Sequence, residues 1–592
     1  MNSRAVLRSL IRVAGAVFLL VLTSHAFAGF TNEAETIIGG VDVGDGRSAS
    51  LADIDADGDL DLLFQGGGGA IRLYRNNLIG GGTLTYTDIS SMLPGGLGPS
   101  WSAAWGDYDG DGRLDVFVGQ SNLSGASGDL LKNNWPAAFT NVSVATGLND
   151  PGFHQNLAWN DIDNDRDLDL LIGMEGPEEH EIYLQGPAGS FTAVGAATGF
   201  QAPLGTRGYG MAIGDTDGDG DLDVYISTCI FGGNIRNNFY QNMLVETGSL
   251  GFVDIADSNG TQNLANSYGA EFVDLDDDGD LDLFMVGADQ QLSKIFRNNG
   301  GNQFTDVDTI TGHPLLTSTG SDFGGGRAVD YDNDGDLDLF FHDHLATAGN
   351  HARKLYRNDG NWEFTDVTTA EGIANTNQGG YDSAWGDIDN DGDQDLIAAT
   401  GSGFDERVFI NDASTNGNHW LYIRLDGPSD NTTAIGATLY ATLEEGTPQE
   451  RTLRREANTN SGTFNQSDLP VHFGLGEVTE VDQLLIRWPD GSKQSLANVS
   501  ADQYITVPYN PGDYNGDGAV DAADFVLWRK GLGTIYTQAD YNIWLEGFGQ
   551  AVGSGSNASA AVPEPATAWL LLALVPLVYY GSLRSSNFAR TA

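Results

Sequence analysis

The sequence predicts an all-β chain: a seven-bladed β-propeller, a small β domain, a short helical EF-hand-like segment and a C-terminal membrane helix. Three observations carry this reading. An acidic loop in the pattern Asp-x-Asp-x-Asp-Gly-x-x-Asp recurs seven times, opening at Asp53, Asp107, Asp161, Asp215, Asp274, Asp330 and Asp387. The openings are 54–59 residues apart, a period that marks a repeat architecture. Each unit holds short strand-like stretches separated by Gly and Asn turns, the content of one propeller blade.

Carboxylates at loop positions 1, 3, 5 and 9 around a glycine at 6 are the geometry of a Ca²⁺ loop. Hard oxygens converge on one ion, position 7 offers a backbone carbonyl, and glycine makes the sharp turn. The candidate ligands are Asp53, Asp55, Asp57, Asp59 and Asp61 in the first loop, and Asp107, Asp109, Asp111, Arg113 and Asp115 in the second. The third offers Asp161, Asp163, Asp165, Asp167 and Asp169, the fourth Asp215, Asp217, Asp219, Asp221 and Asp223. The fifth offers Asp274, Asp276, Asp278, Asp280 and Asp282, and the sixth Asp330, Asp332, Asp334, Asp336 and Asp338. The seventh has Asp387, Asp389, Asp391, Asp393 and Asp395. Position 12, a bidentate Glu in an EF-hand, is here Phe64, Val118, Ile172, Ile226, Met285, Phe341 or Ala398, so each loop leaves into a buried strand. Only the third loop breaks the pattern, with Arg166 in place of glycine. A non-glycine residue in a left-handed turn costs on the order of 1 kcal/mol, so this site is expected to be the weakest or to be rebuilt.

Two further landmarks follow each loop. One is an aromatic-x-Asn strand and turn, as in Tyr74-Arg-Asn76, Phe296-Arg-Asn298 and Tyr356-Arg-Asn358. The other is a last strand such as Tyr86-Thr-Asp88, Phe304-Thr-Asp306 or Phe364-Thr-Asp366. The seventh unit lacks that last strand, and an orphan copy, Phe30-Thr-Asn32, precedes the first loop. If the orphan completes the last blade, the ring closes with no bare sheet edge. A linear β-helix would need a period near nine residues instead.

The loops and the Phe-Thr-Asp strands resemble the FG-GAP/VCBS repeats of integrin-α-like β-propellers, over 29–412. That resemblance implies Ca²⁺ in each loop. Residues 418–507 change character: Lys and Arg rise and alternating strands appear. Asn418-His-Trp420, Ile435-Gly-Ala437, Arg455-Glu456, Val471-His-Phe-Gly-Leu-Gly476 and Ile486-Arg-Trp-Pro-Asp-Gly491 resemble the ASPIC/UnbV domain. The pairing resembles the cartilage acidic protein family and its bacterial relatives, which implies a secreted Ca²⁺-binding protein and names no reaction.

In 511–549 the loop ligands would be Asp513, Asn515, Asp517, Ala519, Asp521 and Asp524. Position 12 is now acidic and a helical pattern follows, so this loop is of the EF-hand kind. It resembles half of a dockerin, which implies a cohesin-like partner. The second half, around Trp544 and Phe548, keeps the helical pattern and lacks the ligands. Residues 550–561 form a Gly/Ser/Ala linker. In 562–592, Val562-Pro-Glu-Pro565, an apolar run and Arg584 resemble a PEP-CTERM sorting signal, which implies an exosortase that processes the tail. Residues 1–28 have a secretory signal pattern: Arg4, Arg8 and Arg12, an apolar core and Ala26-Phe-Ala28.

The formal net charge is −54, and about 35 of the 82 acidic residues lie inside the seven loops. Acidity so placed indicates ion sites rather than a solvated tail. It argues against nucleic acid, which needs clustered Lys and Arg. The single cysteine, Cys229, excludes an intrachain disulfide framework and reads as a buried thiol. Trp101, Trp105, Trp159 and Trp385 read as propeller core. His342, His344 and His351 have no matched Cys or Glu at ligand spacing. No nucleophile elbow, P-loop or His-Glu-x-x-His motif occurs.

The expected function is therefore that of a secreted, surface-sorted, Ca²⁺-binding adhesion or interaction module for an extracellular protein or glycan. The alternatives are a Ca²⁺-dependent lyase-like enzyme on extracellular polysaccharide, or a docked subunit of a surface assembly.

Overall fold

The computed structural model describes residues 29–549 apart from 45, 68–70, 122–126, 176–179, 202–206, 230–235, 289–291, 312–322, 344–352, 375–379, 402–403, 460–462 and 465. The expected signal peptide, linker and sorting segment lie outside the described residues, as do His344 and His351. Among the described residues no helix is long and apolar enough to cross a membrane.

Within 31–410 the described residues form seven four-stranded antiparallel sheets arranged as a β-propeller. The first is Gly46–Ala52, Asp61–Gly66, Ile71–Asn76 and Tyr86–Asp88, in that order. Its acidic loop joins the first two strands. In the last sheet, Ser383–Gly386, Asp395–Ala398 and Arg407–Ile410 are completed by Thr31–Asn32, which pairs with Ile410 and Phe409. The orphan strand thus joins the start of the propeller to its seventh sheet.

The second strands are unbroken apolar runs because both of their faces are buried. Leu170, Leu171 and Ile172 are all fully buried. Leu170 and Ile172 pack with Ala104, Phe117 and Leu130 of the sheet before, while Leu171 packs with Met211, Val224 and Ile226 of the sheet after. Successive strand residues point to opposite faces, so a run without alternation fits a sheet covered on both sides. Trp105, Trp159 and Trp385 are buried in these layers. The indole N–H of Trp159 donates to the Ala104 carbonyl of the neighbouring sheet at 3.0 Å. Trp101 is half-buried and packs on a core cluster of its own, against Phe153, Tyr381 and Phe464.

One polar interaction links every sheet to its neighbour. The backbone N–H of the aromatic-x-Asn residue donates to the position-9 aspartate of its own loop, at 2.7–2.9 Å in all seven sheets. Its side-chain amide donates to the position-2 carbonyl of the preceding sheet's loop. The partners are Asn133 to Ile54, Gln185 to Tyr108, Asn242 to Ile162, Asn298 to Thr216, Asn358 to Leu275 and Asn411 to Tyr331. Asn76 of the first sheet donates to Ile388 of the seventh at 2.9 Å, which completes the ring.

Residues 419–508 fold into a three-stranded and a four-stranded sheet around Leu421, Ile423, Leu439, Leu484 and Trp488. Between Glu456 and Val471 this domain sends a stretch of chain into the propeller axis. There the backbone N–H of Trp105 donates to Gln466 Oε1 at 2.6 Å, that of Trp159 to Thr459 Oγ1 at 2.9 Å and that of Trp385 to Ser467 Oγ at 3.0 Å. The Phe464 ring meets Trp101, Tyr209 and Tyr381. The chain ends its described part in two helices, Ala522–Gly531 and Gln538–Gly547, each opened by a capping box. They close over Tyr514, Trp528 and Tyr536.

Asn298 is fully buried and donates to two carbonyls, Thr216 at 2.7 Å and Leu281 at 3.1 Å. Asn298→Ala leaves both without a donor, which costs about 1–3 kcal/mol for each buried group left unsatisfied. Urea unfolding of wild type and variant should show a loss in that range, whereas Asn299→Ala, on the solvent side of the same turn, should cost less.

Candidate metal centres beneath the second domain

Each acidic loop is folded by its own carboxylates before any ion is considered. The position-5 aspartate accepts the N–H of position 7 in all seven loops, at 2.9–3.2 Å. The position-1 aspartate accepts one or two N–H groups of the turn. In the first, second, third and seventh loops these come from positions 5 and 6. The turn is left-handed twice. Position 6 is glycine with φ from +81° to +107° in six loops, and Arg166 at +85° in the third. Position 4 also has positive φ in every loop, at Ala56, Gly110, Asn164, Gly218, Asp277, Asn333 and Asn390. The third loop is therefore not rebuilt: Asp165 and Arg166 donate to Asp161 at 2.9 Å as their counterparts do.

This folding leaves particular oxygens over. Oδ1 of the position-3 aspartate is buried without a hydrogen-bond partner in five loops, at Asp55, Asp163, Asp276, Asp332 and Asp389. Oδ1 of Asp274 and Asp330, at position 1, is likewise buried and unpartnered. Carboxylate oxygens of Asp53, Asp55 and Asp57 lie within 4.8 Å of one another, as do those of Asp107, Asp109 and Asp115, of Asp161, Asp163 and Asp169, and of Asp215, Asp217 and Asp219. Buried carboxylate oxygens that converge without a donor fit a hard cation. Asp524 in the EF-hand-like loop differs. Its oxygens accept from Tyr514 N at 2.8 Å, Asn515 N at 3.1 Å and Asp521 N at 2.7 Å, so it caps the helix. Asp513 similarly accepts from Gly516 and Gly518, and Asp517 from Ala519.

Burial is the main force on the loop carboxyls. It pushes Asp161 and Asp274 up to about 7 and Asp391 up to about 8, with neighbouring carboxylates adding to the rise. Three loops carry a built-in counter-charge that spacing did not reveal. Arg75 bridges Asp55 and Asp57, Lys132 bridges Asp109 and Asp111, and Arg297 bridges Asp276 and Asp278. The signal was present in the basic residue between aromatic and Asn in Tyr74-Arg-Asn76 and Phe296-Arg-Asn298. The Arg113 side chain turns to Asp111 and to the Asn133 carbonyl.

The second domain sits on this loop face and touches all seven loops. Arg424 bonds Asp53 at 3.0 Å, Thr432 bonds Asp107, Arg487 bonds Asp215 at 2.6 Å and Tyr504 bonds Asp387 at 2.6 Å. Arg451 bridges Asp277 and Asp336, both at 2.6 Å. Arg454 and Arg455 donate to the Gly279 and Gly335 carbonyls at 2.8 and 2.9 Å. On the third loop the direction reverses: Arg166 pairs with Asp490 at 3.0 Å. The residue that broke the loop pattern is thus a docking contact.

The FG-GAP-like repeat model matches residues 53–118, 161–226, 240–341 and 342–398, and the ASPIC and UnbV model matches 427–513. The chain carries FG-GAP-like repeats and an ASPIC and UnbV domain. It is 25% identical over 503 residues to cartilage acidic protein 1 of Xenopus tropicalis, covering 78% of this chain and 73% of that protein. The mouse protein of the same name is 25% identical over 194 residues, 32% of this chain and 29% of the relative. Among solved structures, BBS1N in complex with ARL6DN, soaked with mercury, is similar at a TM-score of 0.39 and 10% identity, over 65% of this chain and 96% of that one. The exotype rhamnogalacturonan lyase YesX is similar at a TM-score of 0.33 and 14% identity, over 80% and 74%. At that level neither bears on what this chain does.

Two outcomes follow. Arg166→Gly removes about 1 kcal/mol of backbone strain and one half-exposed ion pair worth on the order of 1 kcal/mol. Thermal unfolding should move little, while calorimetric titration with calcium should show the third loop binding more tightly. The second outcome concerns pH. Loop carboxyls held above their unfolded value near 4 stabilise the ion-free fold when protonated. That contribution is complete below about pH 4 and is lost as pH rises through the values near 7 and 8 of Asp161, Asp274 and Asp391. In chelator, the unfolding midpoint should therefore fall from pH 5 to pH 8.

Proposed function

We propose that this chain is a secreted, cell-surface-sorted protein whose seven-bladed propeller binds Ca²⁺ in its loops and acts as an adhesion or interaction module. The observation that carries the reading is the set of buried, unpartnered position-3 oxygens at Asp55, Asp163, Asp276, Asp332 and Asp389. An oxygen buried without a donor costs free energy, and a bound dication turns that cost into a ligand bond. The ion's contribution would be charge neutralisation and cross-linking of each loop. The chain itself supplies the rest: position-9 aspartates hold the third strand, and the second domain covers the loop face through Arg424, Arg451, Arg454, Arg455 and Arg487. The names of the relatives carry cartilage and acidity but no reaction, which agrees with a binding role in an extracellular setting. Signal-directed export and exosortase-dependent surface sorting rest on the sequence patterns at the two ends. Attachment of a cohesin-like partner rests on the loop at Asp513.

Two unit charges 4 Å apart repel by ~1 kcal/mol at the dielectric of water and ~4 kcal/mol near an effective value of 20. Several such pairs in seven loops rival the ~5–15 kcal/mol net stability of a domain. Extracellular Ca²⁺ modules bind at ~10⁻⁴–10⁻³ M, so millimolar calcium should raise the unfolding midpoint of the full chain well above its value in chelator. Magnesium should restore little, because it prefers a smaller octahedral site. Equal midpoints in calcium and chelator would show that the loops are not ion sites.

A further inference from the structure

The second domain does not lie flat on the loop face. Over the first, second and seventh loops it leaves a cleft of about 450 Å³. That size falls in the range of small-molecule sites, roughly 300–1,000 Å³, and such sites favour the seams between domains. Its apolar lining comes from both domains: Leu60, Ile79 and Leu114 from the propeller, and Leu469, Tyr504 and Ile505 from the second domain. Ile79 and Tyr504 are 43% and 41% exposed, large apolar side chains left open to the cleft. The Tyr504 ring is held in place by stacking on Tyr422, 4.8 Å away and 14° from parallel.

The polar groups of the wall narrow the ligand. The loop carboxylates that reach the cleft are each already met: Asp53 by Arg424, Asp107 by Thr432 and Asp387 by the Tyr504 hydroxyl. Arg113, Asn390, Asp426, Thr433, Asp468 and Thr506 complete the polar lining. A small anion would face an excess of aspartate. A wholly apolar ligand would strip water from the Asp53–Arg424 pair without replacing its hydrogen bonds, which is costly. A neutral molecule with one apolar face and a rim of hydroxyls matches the apolar patch at Ile79 and Tyr504 and the hydrogen-bonding groups around it. Aromatic rings present a broad apolar surface to such a face, and Tyr adds a polar tip.

We propose that this cleft binds a neutral saccharide unit, its ring against Tyr504 and its hydroxyls toward the Asp53–Arg424 pair, Asn390 and Thr506. The site exists only where the two domains meet, since each supplies part of both the apolar and the polar lining. This rests on the interaction-module reading and gives it a place and a ligand class.

The test is saturation-transfer NMR of the full chain in calcium against neutral mono- and disaccharides, with uronic acids as the charged arm. Two variants accompany wild type. Thr506→Trp fills the cleft from an exposed strand position, where an aromatic residue is well tolerated. Tyr504→Phe keeps the ring and removes the hydroxyl bonded to Asp387. The expected result is saturation of at least one neutral sugar by wild type, a loss of about tenfold or more in affinity in Thr506→Trp, and retained binding in Tyr504→Phe. Both variants should unfold within a few degrees of wild type, so that a lost signal reports the cleft. Three results would overturn the proposal: no neutral sugar bound by wild type, only uronic acids bound, or undiminished binding by Thr506→Trp. The last leaves a glycan-binding module whose site lies elsewhere. With no sugar bound, capture of an extracellular protein would keep the interaction reading and remove this one.

Discussion

Everything in this propeller depends on a bidirectional use of one amide residue per sheet. Its backbone N–H is held by the loop's ninth-position aspartate, and its side chain reaches the loop of the preceding sheet. Seven such links run around the ring, the last from Asn76 to Ile388. Apolar packing between sheets is strong but does not specify how one sheet slides on the next. A buried directional hydrogen bond does, because misregister leaves an amide and a carbonyl unsatisfied. The same aspartates that look like ion ligands in the sequence are therefore also structural members. The loop, the third strand and the neighbouring sheet form one polar unit.

That unit sets up the electrostatics above it. Fixing each loop by backbone N–H groups uses some carboxylate oxygens and aims others inward without donors. The result is a ring of buried negative charge on one face. Two kinds of cation answer it within the chain. Arg75, Lys132 and Arg297 arise from the third strands. The arginines of the second domain come from above. The rise of Lys and Arg after residue 418 thus has a physical purpose. The domain is docked by charge on the rim and by the residues around Phe464 on the axis, so the loop face is partly covered, with a cleft left over the first, second and seventh loops.

The repeat, the sheet content and the loop geometry were legible because each is local. The period of 54–59 residues can be read directly along the chain, and each apolar run lies within a few residues of its acidic loop. The closing strand was legible too, since Phe30-Thr-Asn32 repeats a motif missing from the seventh unit and pairs there. Arg166 shows the limit. By local rules it is a misplaced residue at positive φ, and its reason is Asp490, more than 300 residues away. Asp524 shows a second role at shorter range: spacing marks it as an ion ligand, and its oxygens also accept backbone N–H groups, among them that of Asp521 in a helix capping box.

By itself the sequence determined the elements, their number of repeats, the candidate ligand oxygens and the change of character after the propeller. These follow from side-chain period, turn chemistry and charge, which act between near neighbours. Only the tertiary structure decided what the asparagines of the third strands do, which carboxylate oxygens are left without donors, and that the second domain touches every loop and reaches the axis. Those outcomes depend on groups far apart in the chain meeting in a low-dielectric interior, where one unmade hydrogen bond or unpaired charge outweighs any local preference. The cleft between the domains belongs to the same class, because neither of its walls is a site alone.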